Sequence, residues 1–113
     1  MRLVATVKNC DDVARLMIHV DEKNVYLFRY ARAEDGPCDV DLWFETVADA
    51  QAAAGAQFGV SREDWTTIDD PMPGCQHDWI EPVRLLSRDV SETGELACER
   101  LVNGRWRTFL HRG

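Results

Sequence analysis

Reactive side chains are densest at Gly74-Cys75-Gln76-His77-Asp78-Trp79, just beyond a proline-rich break. Cys75 and His77 stand one residue apart. In an extended segment such residues point to the same side, so a thiolate and an imidazole can meet one metal ion. A structural zinc takes about four ligands. The others would have to come from Cys10, Cys38, His19, His111 or an acid, none of them at diagnostic spacing. The same pair suggests a thiol nucleophile with its base. That chemistry needs hydrogen-bond reach and a third group to orient the base, and no family signature surrounds Cys75. The plainer reading is preferred. In it Cys75 is a small buried residue, His77 and Asp78 hydrogen-bond the loop backbone, and Trp79 anchors the loop to the core. Cys75, His77, Asp78 and Trp79 thus form a candidate site loop, with no catalytic residue, metal ligand or cofactor assigned.

The second candidate is a basic surface. Residues 81–113 hold six arginines, no lysine and five acids, whereas residues 1–80 hold seven basic and fifteen acidic residues. Arg84, Arg100, Arg105 and Arg107, extended by Arg88, are a candidate patch for an anion or an acidic partner; the competing reading is a solvated face. Arg100 falls opposite Arg107 in the C-terminal hairpin described below, an unfavourable like-charge pair. Glu99 projects from the other face, so relief is expected from Glu81, Glu95 or a partner. Two further groupings carry less. Asp39, Asp41 and Glu45 flank Trp43 on one strand face. Residues spaced by two lie about 7 Å apart, too far to share an ion without loop ligands. Tyr26, Phe28 and Tyr30 form a stripe, but the chain is acidic and lacks an RNA-recognition motif, so core packing is the better account. No glycine-rich phosphate loop, serine elbow, H-E-x-x-H or kinase-type string occurs.

The frame that must position these residues is small. The chain has 113 residues, a net charge of −7 and 45% apolar residues. No apolar run approaches the roughly 20 residues of a membrane span, and the apolar content is too high for a disordered acidic tail. One globular domain over residues 1–113 is expected. The acidic N-terminal two thirds should repel nucleic acid and anionic membranes. Residues 1–8 are too short for a secretory signal, which makes the reducing cytoplasm the default compartment. Cys10, Cys38, Cys75 and Cys98 include no C-x-x-C pair, and disulfides are not expected.

Residues 3–8 alternate, with Leu3, Ala5 and Val7 on one side, and predict a strand. Residues 13–20 fit helical and strand spacing equally. The turn cluster Asp21-Glu22-Lys23-Asn24 and the β-formers after it favour a hairpin joining 14–20 to 25–31. Glu34-Asp35-Gly36-Pro37 breaks the chain. Residues 39–45 alternate strictly, with Val40, Leu42 and Phe44 on the inner side. Thr46 caps a helix over 47–58, whose Val47, Ala50, Ala54 and Phe58 share one stripe. Gly55 weakens its interior by about 1 kcal/mol against alanine, and Gly59 suits the left-handed residue that ends it. Ser61-Arg62-Glu63-Asp64 opens one more turn, and 66–68 is a short strand. Asp69-Asp70-Pro71-Met72-Pro73-Gly74 is irregular. Residues 79–87 are extended, with Pro82 at an edge or bulge, and 89–95 form a polar loop. Asn103-Gly104 joins 96–102 to 105–110 as a two-residue hairpin. Its register puts Val102 against Arg105, Leu101 against Trp106, Cys98 against Phe109 and Ala97 against Leu110. The expected core side carries Ala97, Leu101, Trp106 and Leu110.

The fold class is α+β: a mostly antiparallel sheet of about five to six strands, one main helix (47–58) packed on one face, and a C-terminal hairpin (96–102/105–110). At Val25-Tyr26-Leu27-Phe28, Trp43-Phe44-Glu45-Thr46, Phe58-Gly59-Val60, Trp65 and Pro73-Gly74-Cys75-Gln76-His77-Asp78-Trp79-Ile80-Glu81-Pro82-Val83-Arg84, the chain resembles small bacterial proteins of about this length and of unknown function. The similarity runs from residue 25 to residue 84, and the string from Gly74 to Arg84 is its specific part. It implies a bacterial, free-standing, single-domain protein and carries no catalytic residue. The functional expectation is a cytoplasmic, non-enzymatic protein-binding or regulatory domain, with no nucleic acid and no membrane as partner. The alternative is a small metal-binding or thiol-dependent enzyme centred on Cys75 and His77.

Overall fold

The computed structural model describes residues 1–86 and 94–112. It is α+β, with one α-helix and two antiparallel sheets. The chain divides into two compact units, Met1–Asp70 and the residues from Pro71 onward.

In the first unit β1 (Arg2–Thr6), β2 (Arg15–Asp21), β3 (Asn24–Tyr30), β4 (Val40–Phe44) and β5 (Thr66–Ile68) form a sheet in the order β4-β3-β2-β1-β5. The 13–20 ambiguity resolves as a strand. β2 pairs with β1 on one side and β3 on the other, Met17 facing Phe28 and Ile18 facing Leu27. Leu16, Met17 and Ile18 are all fully buried. A strand covered on both faces needs no polar alternation, which is why its spacing looked equally helical. One face packs Leu16, Ile18, Leu27, Ala5 and Val7 against the helix side; the other packs Met17, Phe28 and Tyr30 with Val4 and Ile68.

The helix, α1 (Val47–Phe58), begins where the Thr46 hydroxyl accepts the Asp49 N–H at 3.1 Å. Its stripe is the expected one: Ala50 and Ala54 are buried, and Val47 and Phe58 pack beside them. Alanine lets the helix approach the sheet closely. Gly59 adopts φ 68° and donates its N–H to the Gly55 carbonyl at 3.0 Å. A side chain at Gly55 would meet the Val60 carbonyl at 3.3 Å, so this glycine makes room for the returning chain. A short 3-10 turn (Arg62–Asp64) follows, its Asp64 carboxylate accepting the Ser61 N–H at 2.8 Å.

Two guanidinium groups are buried in this unit, a feature the strand pattern did not reveal. Arg2 donates from Nε to the Asp69 carbonyl at 2.7 Å. Arg15 lies 4.0 Å over the Tyr30 ring, with Asp35 at 3.9 Å. Stacking on an aromatic face compensates part of the lost hydration.

In the second unit β6 (Val83–Leu85), β7 (Glu95–Val102) and β8 (Arg105–Arg112) form a sheet in that order. Of the expected extended run 79–87, only Val83–Leu85 is a strand; Trp79–Pro82 is irregular, and residues 87–93, with Arg88 and most of the expected polar loop, lie outside the described residues. Asn103 and Gly104 take φ 50° and 77°, the left-handed pair a tight hairpin needs. The register is the expected one at every pair, including Leu101 with Trp106 and Arg100 with Arg107.

The expected core side of this hairpin is corrected. Cys98 is buried, and Phe109, Leu96 and Leu85 pack with it against Trp79 and Val83. Ala97, Leu101, Trp106 and Leu110 are on the outer face, where Leu110 is 63% exposed. The turn determines which residues oppose one another, but both faces carry apolar residues. Trp79, arriving from outside the hairpin, selects the side that is covered.

Leu27→Ala removes a fully buried side chain and is expected to lower stability by about 2–5 kcal/mol in urea unfolding. The Ser61 N–H, then its side chain, holds the Asp64 carboxyl below the usual aspartate range. That contribution is full above the ordinary aspartate pKa and disappears as pH falls through the lowered folded value. Asp64→Asn should therefore lose stability near neutrality, with the gap to wild type closing in the acid limb of a pH series.

Candidate protein-interaction surface

The Cys75–Trp79 loop is built of turns rather than an extended segment. The Cys75 N–H donates to the Met72 carbonyl at 2.9 Å, and the Gln76 N–H to the Val83 carbonyl at 2.7 Å. The same-side geometry expected for Cys75 and His77 is therefore replaced: Cys75 is buried, His77 is exposed and Asp78 is half-buried. Among the described residues, no group of three metal-ligating atoms includes Cys75. Trp79 is buried and meets Phe109 edge-on at 6.0 Å and His111 at 5.4 Å. Cys10, Cys38, Cys75 and Cys98 are not joined in disulfides. Burial raises the Cys98 pKa, the opposite of what an activated thiol requires.

The arginine patch separates by strand geometry. Arg84 pairs with Glu99 across β6 and β7, so both project from the outer face. Its Nη2 donates to the Glu99 carboxylate at 2.9 Å, and its guanidinium lies 3.6 Å over the Trp106 ring. Arg100 projects from the opposite face and stacks 4.1 Å over Phe109. The Arg100–Arg107 pair is thus eased by an aromatic ring. Arg105 and Arg107 share the Arg100 side, are exposed, and make no ion pair among the described residues. The four arginines do not form one patch: Arg84 belongs to an aromatic-apolar surface, Arg105 and Arg107 to a bare edge.

That surface is the outer face of the three-stranded sheet. The Leu86 N–H donates to the Ala97 carbonyl at 2.9 Å, extending the β6 register by one residue. Leu86 therefore joins Ala97, Leu101, Trp106 and Leu110. Leu86 is 50% exposed, and Trp106 is held flat beneath Arg84. Sequence reasoning found most of these residues and assigned them inward.

The other groupings resolve as packing or solvated surface. Tyr26 and Phe28 stack with His19 at 6.4 and 6.2 Å and with each other at 6.1 Å on the β2–β3 hairpin. Just before β4, Asp39 accepts the Ala31 N–H at 2.6 Å, and on β4 the exposed Trp43 donates to Asn24 at 3.3 Å. An open cleft of about 520 Å³ lies between Thr6, Lys8, Asn9, Phe58–Val60 and Asp64; no sequence motif pointed to it.

The two hairpin-unit tryptophans should behave differently. Trp79→Ala is expected to cost about 3–5 kcal/mol, as for a buried large aromatic. Trp106→Ala should cost less, about 1–2 kcal/mol, for a half-buried ring and its cation–π contact. Urea unfolding of both variants measures the difference. No family model, no curated protein and no solved structure matches the chain.

Proposed function

We propose that the chain is a non-enzymatic protein-binding module that contacts its partner through the outer face of the C-terminal sheet. The observation that carries this reading is the exposure of Leu86 and Leu110 beside Trp106, with Arg84 and Glu99 as polar neighbours. An exposed apolar patch with polar groups around it is the usual chemistry of a protein contact, and tryptophan and arginine are the side chains that most often dominate such contacts. A net charge of −7 opposes nucleic acid as the partner. No described helix is long and apolar enough to cross a membrane. Cysteines not joined in disulfides are compatible with a reducing compartment such as the cytoplasm. The alternative centred on Cys75 and His77 draws no support from a loop that buries one and exposes the other.

Leu86→Asp/Leu110→Asp places two charges on the patch without touching the buried side of the sheet. The double variant should unfold within about 1 kcal/mol of wild type, as surface changes do. Equal amounts of the two tagged proteins are exposed to a native lysate and the retained proteins compared. Selective loss from the variant supports the reading, and identical retention contradicts it.

A further inference from the structure

We propose that β8 is an acceptor edge for an added strand, and that its occupant is an extended segment of another protein in which apolar and acidic residues alternate. This inference rests on the protein-binding reading and specifies its mode and partner chemistry.

β8 ends the sheet and is eight residues long. The two-residue turn makes Val102–Arg105 the closing pair, whose backbone groups bond each other. The alternation that follows points the N–H and carbonyl of Arg105, Arg107 and Phe109 toward β7. It points those of Trp106, Thr108 and Leu110 outward. The opposite side of β7 has the complementary phase, since the Leu101 N–H donates to the Pro82 carbonyl at 3.3 Å and the Ala97 carbonyl accepts from Leu86. The other margin of the sheet is partly occupied, because the Val83 carbonyl accepts the Gln76 N–H. β8 is therefore the edge whose outward donors and acceptors pair with no strand among the described residues.

The side chains define the occupant. Alternate residues of an added strand would lie beside Trp106, Thr108 and Leu110 on the outer face and extend its apolar surface. The intervening residues would lie beside Arg105 and Arg107, which have no ion pair among the described residues. Acidic residues at those positions complete cross-strand pairs. A second β8 repeats Arg105 and Arg107 and brings no carboxylate to that side, so charge complementarity favours a foreign acidic strand over symmetric self-pairing. Strand addition draws affinity from the main chain and specificity from alternate side chains.

The test is a titration of the full-length, isotope-labelled protein with a blocked peptide in which glutamate and valine alternate along the length of β8. Saturable shifts of the Trp106, Thr108 and Leu110 amides are expected. A peptide of the same composition arranged as a glutamate block and a valine block should not produce them. Arg105→Glu/Arg107→Glu should weaken binding by about tenfold or more. Thr108→Pro should abolish it, because this N–H faces away from β7 and its loss leaves the ladder intact. If the proline variant fails to fold, the arginine variant decides. Absent shifts, shifts confined to another surface, equal binding of the block peptide, or binding insensitive to the arginine reversal overturn the proposal. So does concentration-dependent self-association removed by Thr108→Pro, which would assign the edge to a second copy. Failure here with selective loss of lysate partners by Leu86→Asp/Leu110→Asp overturns strand addition alone. Failure of both overturns the binding face as well.

Discussion

The edge-on packing of Trp79 against Phe109 holds the irregular segment before β6 on one side of the C-terminal sheet. Cys98 and Val83 are sealed beneath it, and the remaining geometry of this unit follows. The covered side takes Arg100, which stacks on Phe109. The uncovered side keeps Leu86, Trp106 and Leu110 in contact with solvent, and Arg84 lies across the tryptophan while it bonds the Glu99 carboxylate. A three-stranded sheet has few strands over which to spread its apolar residues. Once one face is packed, those on the other remain available for binding.

The N-terminal unit solves the same problem differently. Its five strands have apolar residues on both faces, and both are packed, one against the helix and the other around Met17, Phe28 and Tyr30. Double coverage extends to charged groups. Arg2 and Arg15 are buried but retain a backbone carbonyl, an aromatic ring and a carboxylate within reach. Such groups cost free energy unless compensated; these partners supply part of the compensation, and Arg15 Nε and Nη2 make no hydrogen bond among the described residues. Asp39, just before β4, and Asp41, on it, remain exposed to solvent.

Local rules made much of this architecture legible. Thr46 and Gly59 bracket the helix because a hydroxyl cap and a left-handed residue are specific backbone devices. Asn103-Gly104 determines the hairpin register for the same reason. What remained illegible depended on long-range packing. Leu96, Cys98 and Phe109 balance Ala97, Leu101 and Leu110 in apolar character, so alternation cannot tell inside from outside there. Likewise, no pattern marks Arg2 or Arg15 as buried: Asp69, the partner of Arg2, is distant in the chain, and alternation does not show that the ring of Tyr30, opposite Arg15 in the hairpin, covers its guanidinium. Cys75 and His77 looked like a site only under the assumption of an extended backbone, which the turns at Met72 and Gln76 replace.

Among the described residues, the C-terminal sheet has one packed side and one open edge along β8. Native-state amide hydrogen exchange measures this residue by residue. The predicted result is an alternating pattern, with slow exchange at Arg105, Arg107 and Phe109, whose N–H groups bond β7, and fast exchange at Trp106, Thr108 and Leu110. Uniform protection along β8 would mean that its outer backbone groups are already engaged, and would contradict both the open edge and the partner strand it is proposed to receive.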